Sequence, residues 1–192
     1  MTIFTQCIIL AFWLILIAFW IISALRAKKK IHGVSWWRGA LLRALLVIGA
    51  LELQRLPAFR KFSHHLLFGA ASSNPAVGVI GVILCAAGMA FAVWARLHLG
   101  RNWGTPMSLQ ENHELVTTGP YARVRHPIYT GALLAMLGSA FAAGAIWFIA
   151  FIIVCPFFIY SAIAEEKLMA QQFPNEYPAY KARTKMLVPF VW

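Results

Sequence analysis

An apolar run in the second half of the chain constrains the fold more than any other feature. Residues 128–164 contain no charged side chain. A helix needs roughly 20 residues to cross a bilayer, so this run is too long for one span and just long enough for two short ones. Its centre, Ala142-Ala143-Gly144, is the natural place for a turn. The run therefore predicts a helical hairpin whose two ends return to the same side of the membrane.

The composition also indicates a membrane protein built from helices. The chain has 192 residues, of which 61% are hydrophobic and 12% are charged, whereas soluble domains carry about 25% charged residues. Lipid cannot satisfy backbone amides, so spans must be helices or closed barrels, and the alternating pattern of a barrel is absent. Further apolar runs lie at residues 3–25, 36–56 and 76–95. We predict an all-α integral membrane protein with about five transmembrane helices, the last two forming the short hairpin.

The pattern divides the chain into two regions. Residues 1–95 contain three predicted N-terminal transmembrane helices. The second of these spans, at residues 36–56, is the weakest because it carries ionisable side chains, which are costly in lipid and usually face protein or water. Residues 96–192 contain the hairpin of residues 128–164 and a polar C-terminal tail.

The net charge of +11 is best explained by membrane topology. Most of the Lys and Arg residues lie in residues 26–38, 96–125 and 167–185, three segments that five spans would place on one face. The positive-inside rule then predicts an external N-terminus and a cytoplasmic C-terminus, as in a prokaryotic inner membrane. A nucleic-acid partner is disfavoured, and the sequence does not decide the oligomeric state.

The cysteines do not show the spacing of metal ligands. Cys7, Cys85 and Cys155 all lie in apolar runs without CxxC or Cys/His spacing. Such cysteines are typical of buried or lipid-facing thiols. We therefore predict neither a metal site nor a disulfide.

Two polar segments flank the predicted hairpin. Arg125-His126 precedes it and Glu165-Glu166 follows it, so the hairpin places both segments on the same side. Pro127 suits the first position of a helix, whose N-terminal end favours an anion. Together the segments match a ligand that carries both a carboxylate and an ammonium group. The alternative is a set of salt bridges that pins the tail to the loop, and the charge pattern does not decide between the two.

Local geometry makes the expectation more specific. If residues 123–126 are extended, their alternation places Arg125 on one face and His126 on the other. Glu165 and Glu166 are adjacent on a helix, so they point about 100° apart. We therefore expect one carboxylate to face a ligand while the other pairs or meets water.

The two polar segments belong to a longer two-part motif. The sequence GPYARVRHPIYTG at residues 119–131 is followed, after the hairpin, by EEKLMAQQFPNEYPAYKARTKMLVPF at residues 165–190. This motif resembles the isoprenylcysteine carboxyl methyltransferase family, part of a wider group of membrane methyltransferases that includes phospholipid N-methyltransferases. The resemblance covers residues 97–190, about half of the chain. It departs at Pro174-Asn175, where relatives more often have a glycine.

The resemblance implies S-adenosylmethionine (AdoMet) as methyl donor and S-adenosylhomocysteine as product. It implies a cytoplasmic donor pocket in residues 96–192, which would be the catalytic region, built from both polar segments and covered by tyrosines of the tail. Its implied partners are the lipid bilayer and a lipophilic acceptor that enters sideways between helices. The implied cofactor-binding residues are Leu115, Val116, Gly119, Pro120, Tyr121, Arg125, His126, Tyr129, Glu165, Glu166, Tyr177 and Tyr180.

The implied reaction is an in-line displacement at a sulfonium methyl group. A carboxylate acceptor is already ionised and needs no general base, so the protein would contribute alignment and exclusion of water, with Arg101 or Arg125 orienting the acceptor. An amine or thiol acceptor must lose a proton first, which requires a base such as Glu166 or His126. We favour a prenylcysteine-like carboxylate and keep a phospholipid amine or a small thiol as alternatives.

Two other functions compete with a methyltransferase. NADPH-dependent sterol reductases have a similar C-terminal half, but their typical R-H-x-N-Y stretch reads R-H-P-I-Y here, at residues 125–129. A non-enzymatic membrane or transport protein is the other alternative. A transporter should place ionisable groups in the middle of its spans, and the later spans have none. The sequence therefore favours the methyltransferase.

Overall fold

The structure is a computed structural model that describes residues 2–24, 30–33, 56–57, 74–104, 108–110 and 114–189. The predicted second span, at residues 36–56, lies outside these ranges apart from its last residue. The helices are α1 (Thr2–Ala24), α2 (Pro75–Leu99), α3 (Pro127–Ala143), α4 (Ala145–Gln172) and α5 (Tyr177–Arg183). Short 3-10 helices cover Gly100–Asn102 and Gly119–Ala122. Strands β1 (Lys30–Gly33) and β2 (Ser108–Gln110) pair antiparallel.

Three helices, α1, α2 and α4, are long and apolar enough to cross a membrane, and α3 is a shorter apolar helix. They correspond to the predicted first and third spans and to the hairpin. The described part of the chain is therefore that of a helical membrane protein, with the β1–β2 pair as an addition to the predicted elements. Because β1 follows α1 and β2 follows α2, this pairing places the segments after both helices on the same side.

Local sequence signals define both ends of α2. Asn74 caps the N-terminus, where its side chain accepts a hydrogen bond of 2.9 Å from the backbone N–H of Ala76. Pro75 takes the first helical position, at which an N–H would have no partner within the helix. Gly100 ends the helix with a φ of 56°, a left-handed conformation that glycine adopts at little cost. The last turn of α2 contacts the 3-10 turn that precedes α3.

Helices α2 and α3 pack antiparallel with their backbones in direct contact. Gly81 and Gly88 of α2 lie against α3, and Gly131 and Gly138 of α3 lie against α2. A Cβ added at Gly81 would come within 2.6 Å of the backbone nitrogen of Ala142, and the other three positions are as tight. In lipid, helices associate by close packing, which small residues permit. Gly81 and Gly88 of α2 therefore serve helix packing.

Helix α1 runs parallel to α2 along the α2–α3 pair. Near its beginning, Thr5 Oγ1 donates a hydrogen bond of 3.1 Å to the backbone oxygen of Ala142, close to the end of α3. Near its end, the backbone oxygen of Ser23 accepts a hydrogen bond of 2.7 Å from Arg96, close to the end of α2. Both α1 and α2 therefore end on the side where α3 begins.

The predicted hairpin is confirmed. Helix α3 begins at Pro127, as its position in the sequence predicted, and Gly144 forms the turn with a φ of 105°. Helix α4 follows at once and contains Pro156 in its interior. It extends beyond the apolar run and includes Glu165-Glu166. The hairpin thus returns these carboxylates to the side from which α3 started.

Candidate active site

The C-terminal tail pairs with the segment just before α3. The backbone N–H of Arg125 donates to the oxygen of Lys185 at 2.8 Å, and that of His126 donates to the oxygen of Met186 at 3.1 Å. In the reverse direction, the N–H of Lys185 donates to the oxygen of Arg123 at 3.2 Å. This short parallel pairing holds the tail against the two residues that precede the hairpin.

Glu166, near the end of α4, lies at the centre of an ion-pair cluster. Its Oε1 is 2.6 Å from Arg125 Nε, and its Oε2 is 2.7 Å from Lys181 Nζ. The guanidinium of Arg125 also donates to the backbone oxygen of Thr184 at 2.5 Å. The side chains of Glu166 and Arg125 are nearly buried, whereas that of Lys181 is 53% exposed. Since a buried charge is strongly destabilising without a partner, these contacts hold α4, α5 and the segment before α3 together.

His126 lies between the two glutamates of α4. Its Nδ1 is 3.3 Å from Glu165 Oε2, and its Nε2 is 3.7 Å from Glu166 Oε1. The second distance is too long for a hydrogen bond, and the buried Nε2 has no hydrogen-bond partner within the described ranges. Burial lowers the pKa of His126, but the hydrogen bond to Glu165 and the charges of both glutamates outweigh burial and raise the pKa above its ordinary value. The imidazole is therefore biased towards its cationic form.

Tyr129 joins this cluster from the first turn of α3. Its hydroxyl donates to Glu165 Oε1 at 2.6 Å. Its ring stacks with that of His126, with centroids 5.6 Å apart, and with that of Phe158, with centroids 4.5 Å apart. Glu165 is consequently bonded to both Tyr129 and His126. The aromatic stack connects the charged end of the hairpin to the apolar contacts between α3 and α4.

Helix α5 places two buried tyrosines beside the cluster. Tyr177 and Tyr180 are both almost fully buried, and the hydroxyl of Tyr180 donates to the backbone oxygen of Tyr121 at 2.8 Å. Burial raises the pKa of Tyr180 to about 12 and also raises the pKa of Tyr177 and of Tyr121. These side chains therefore stay neutral and contribute hydroxyl groups and ring surface to the site.

The remaining predicted residues lie between α2 and α3. Gly119 begins the 3-10 turn with a φ of 59°, Pro120 is buried in that turn, and Leu115 and Val116 are half-buried in the segment before it. Arg101 is exposed in the 3-10 helix after α2 and makes no hydrogen bond or ion pair with the described cluster. We still predict that the backbone of Leu115, Val116, Gly119 and Pro120 contacts AdoMet. We also still predict that Arg101 contacts the methyl acceptor.

One local expectation does not hold. Residues 123–126 are not regularly extended, because ψ is −41° at Arg123 and 59° at His126. Arg125 and His126 therefore approach the same carboxylate, that of Glu166, instead of facing opposite sides. The backbone turn and the pairing with the tail override the alternation of a strand.

Three contributors to the site were not predicted. Lys181 pairs with Glu166, the backbone oxygen of Thr184 belongs to the cluster, and Thr130 Oγ1 donates to the backbone oxygen of the tail residue Leu187 at 2.6 Å. Lys181 carried a usable signal, because in a helical tail it shares a face with the tyrosine four residues before it. The two threonine contacts depend on the path of the tail, which no local pattern reveals.

The described residues contain no group of three or more His, Cys, Asp or Glu side chains that could hold a metal ion. Cys7, Cys85 and Cys155 are free thiols.

The fold and site define a class, that of a helical membrane protein with a charged cluster at the polar end of a hairpin. Comparison with known families makes this class specific. The chain belongs to the phospholipid methyltransferase (PEMT) family, whose sequence model matches residues 77–176, just over half of the chain. The match includes Arg125-His126 and Glu165-Glu166. The predicted membership of the group of membrane methyltransferases that includes the isoprenylcysteine enzymes is confirmed.

Individual relatives support the same group. The chain is 28% identical over 183 residues to protein-S-isoprenylcysteine O-methyltransferase A of Arabidopsis thaliana, with 93% of this chain and 91% of that protein covered. It is 38% identical over 84 residues to protein-S-isoprenylcysteine O-methyltransferase B of the same plant, with 43% of each covered. It is also 32% identical over 118 residues to the cobalt-zinc-cadmium resistance protein CzcN of Cupriavidus metallidurans, with 59% of this chain and 48% of that protein covered. The match thus spans about half the length of CzcN.

Proposed function

We propose that the protein is an AdoMet-dependent methyltransferase that acts on a lipophilic acceptor at the membrane surface, with a prenylcysteine-like carboxylate favoured. The observation that carries this proposal is the cluster of opposite charges at the polar end of the hairpin, in a chain from a methyltransferase family. AdoMet bears a carboxylate, an ammonium and a sulfonium group. A site for it therefore needs both signs of charge within a short distance.

The side chains of the cluster fit these groups of the donor. Arg125 and Lys181 would bind the carboxylate, because charged N–H donors form their strongest hydrogen bonds with carboxylates. Glu165 and Glu166 would bind the ammonium group. The buried Nε2 of His126, which has no hydrogen-bond partner within the described ranges, supports a polar ligand beside it, since such atoms are costly to leave unpaired.

The cluster favours an acceptor that is already ionised. Bound AdoMet would supply a methyl group made electrophilic by its positive sulfur. Glu166 is paired with two cations and Glu165 accepts a hydrogen bond from a tyrosine, and such contacts make a carboxylate a weaker base. His126 is biased towards its cationic form, which is not a base. A carboxylate acceptor needs no base, and Arg125 or Arg101 would orient it while the protein excludes water.

A phospholipid amine is the second candidate acceptor. The name of the matching family, phospholipid methyltransferase, favours it, whereas the names of the two Arabidopsis relatives favour an isoprenylcysteine. An amine would need a base, for which Glu166 would first have to leave its cations. The ion pairs also pin the tail to the loop before α3, so the structural and the ligand-binding roles of the cluster are compatible.

We further propose that the site faces the cytoplasm of a prokaryotic cell, with the N-terminus outside and the acceptor entering sideways from the bilayer. The parallel arrangement of α1 and α2 and the pairing of β1 with β2 support a common side for the basic segments, which the positive-inside rule assigns to the cytoplasm. In this arrangement residues 1–95 anchor the chain and residues 96–192 form the AdoMet-binding catalytic region.

The test is calorimetric titration of the full chain in lipid nanodiscs with AdoMet and, separately, with NADPH. We expect binding heat with AdoMet alone. Binding of NADPH in its place would overturn the assignment in favour of a reductase.

The acceptor is tested by transfer of a radiolabelled methyl group to a panel of a prenylcysteine, phosphatidylethanolamine and a small thiol. We expect labelled prenylcysteine ester. Label in the phospholipid would establish the second candidate, and Arg125→Ala should abolish whichever transfer occurs.

A further inference from the structure

His98, in the last turn of α2, contacts the turn that leads into the site. Its Nε2 lies 2.9 Å from Thr118 Oγ1, within hydrogen-bond distance. Its ring stacks with that of Tyr121, with centroids 6.4 Å apart and an interplanar angle of 24°. His98 is not part of the ion-pair cluster, and neither the motif nor the charge pattern singled it out. Its two contacts, to Thr118 and Tyr121, nevertheless lie at the Gly119–Ala122 turn.

Gly119 shows how closely the ring and the turn fit. A Cβ added at Gly119 would come within 2.9 Å of three ring atoms of His98, which is closer than non-bonded carbon and nitrogen atoms approach. Its φ of 59° also lies in the region that residues with a Cβ adopt at a cost. Two independent constraints therefore require glycine here, and the His98 ring occupies the space that a side chain would take.

The Gly119–Ala122 turn is also connected to the ion-pair cluster. The hydroxyl of Tyr121 donates to the backbone oxygen of Ala95 on α2 at 3.4 Å, and the backbone oxygen of Tyr121 accepts from Tyr180 of α5 at 2.8 Å. Helix α5 also carries Lys181, whose ammonium group pairs with Glu166. A shift of the turn relative to α2 would therefore shift α5 relative to the cluster.

We propose that His98 is a positioning residue of the donor site. Its ring fixes the position of the Gly119–Ala122 turn against the end of α2. Through the hydrogen bond between Tyr180 and Tyr121, the turn in turn fixes the position of α5 beside the cluster. The inference rests on the proposed function for the identity of the ligand, AdoMet. Its mechanical part, the fit between ring and turn, is independent of any ligand.

The first experiment measures AdoMet affinity and steady-state kinetics with the full chain in nanodiscs. His98→Ala should weaken AdoMet binding about threefold to tenfold, the effect expected for loss of one hydrogen bond and its packing, and should raise the KM for AdoMet more than it lowers kcat. His98→Gln, which keeps a polar group near Thr118, should restore part of the loss. Leu97→Ala, on the neighbouring and 63% exposed position, is the matched control and should change nothing.

The second experiment needs no ligand and measures thermal unfolding in four proteins, the wild type, His98→Ala, Gly119→Ala and the double variant. Gly119→Ala should lower Tm less when His98 is already alanine, because the clash with the ring is gone and only the backbone strain is left. Equal losses in both backgrounds would overturn the inference. Should Gly119→Ala fail to fold, Thr118→Val replaces it in the same cycle. Losses of Tm that simply add in the double variant would then overturn the inference.

The two experiments separate the two proposals. Wild-type protein that binds AdoMet with an affinity unchanged by His98→Ala would refute the positioning role and leave the proposed function standing. Wild-type protein that does not bind AdoMet would refute the proposed function, and the stability cycle would still decide whether His98 holds the turn.

Discussion

The interface between α2 and α3 and the charged cluster at its polar end are held together by opposite means. At the interface, Gly81, Gly88, Gly131 and Gly138 bring two backbones into contact, and the space leaves no room for a Cβ. In the cluster, side chains from three segments of the chain meet through ion pairs around Glu166. The hairpin is thus held by close backbone packing within the membrane and by ion pairs at the membrane surface.

The surrounding medium explains the difference. Lipid provides no hydrophobic gain when two helices meet, so the helices gain by approaching closely enough for many dispersion contacts. At the surface, water competes for charged groups, and a pair is worth most where it is shielded from solvent. We therefore expect the interface to be sensitive to added atoms and the cluster to be sensitive to lost charge.

The largest effect is expected for the loss of the central carboxylate. Glu166→Ala leaves the nearly buried Arg125 without its carboxylate partner, a change that costs about 3 kcal/mol or more for a buried pair. AdoMet binding should fall by about a hundredfold, as measured by calorimetry, while the helical circular dichroism is retained. Glu176→Ala removes an exposed carboxylate at the start of α5 and is the control. Equal affinities in the two variants would contradict a role of the cluster in donor binding.

The interface is tested by one added methyl group. Gly138→Ala places a Cβ on the backbone of Cys85 in α2, so the helices must separate, at about 2 kcal/mol for an overpacked contact. The same change at Gly78 meets only the methyl group of Thr5 at 3.6 Å, an ordinary contact. Thermal unfolding in detergent should show a lower Tm for the first variant and little change for the second. A similar Tm in both would show that the interface relaxes without cost.

His126 should give the cluster a pH dependence that the interface lacks. The pKa of His126 in the folded protein is raised by Glu165 and Glu166 above its value of about 6.5 in the unfolded chain. The resulting stability is fully present below about pH 6.5 and is lost as the pH rises through the raised pKa. Tm should therefore fall as the pH rises above about 6.5, and His126→Gln should flatten that slope. A Tm that rises over this range in the wild type would contradict the assignment.

The smallest effect is expected at the exposed edge of the cluster. Lys181 is 53% exposed, so Lys181→Gln should cost only about 0.2–1 kcal/mol, as exposed ion pairs do. The difference in Tm between wild type and variant should shrink further at high salt, because salt screens solvent-exposed charges. An effect as large as that of Glu166→Ala would mean that the pair is shielded and that α5 seals the site more tightly than its exposure indicates.

The sequence by itself determined the hairpin, its turn and its two polar ends. The length of the uncharged run limits it to two short helices, the glycine at 144 provides the turn, and Pro127 starts the first arm. These features depend on neighbouring residues and on the thickness of a bilayer, so they can be derived without a structure. The two-part motif also placed the chain in its family.

Only the tertiary structure decided which charges meet. The pairing of Lys185 and Met186 with the segment before α3, and the ion pair between Lys181 and Glu166, join positions that are distant in sequence. Helix rotation and the path of the tail set these contacts, and neither follows from a local pattern. Arg125 and His126 show the consequence, because alternation would have separated them and the pairing with the tail turns both towards Glu166. A membrane fold can be derived from the length of its apolar runs, whereas an ion-pair cluster depends on non-local distances.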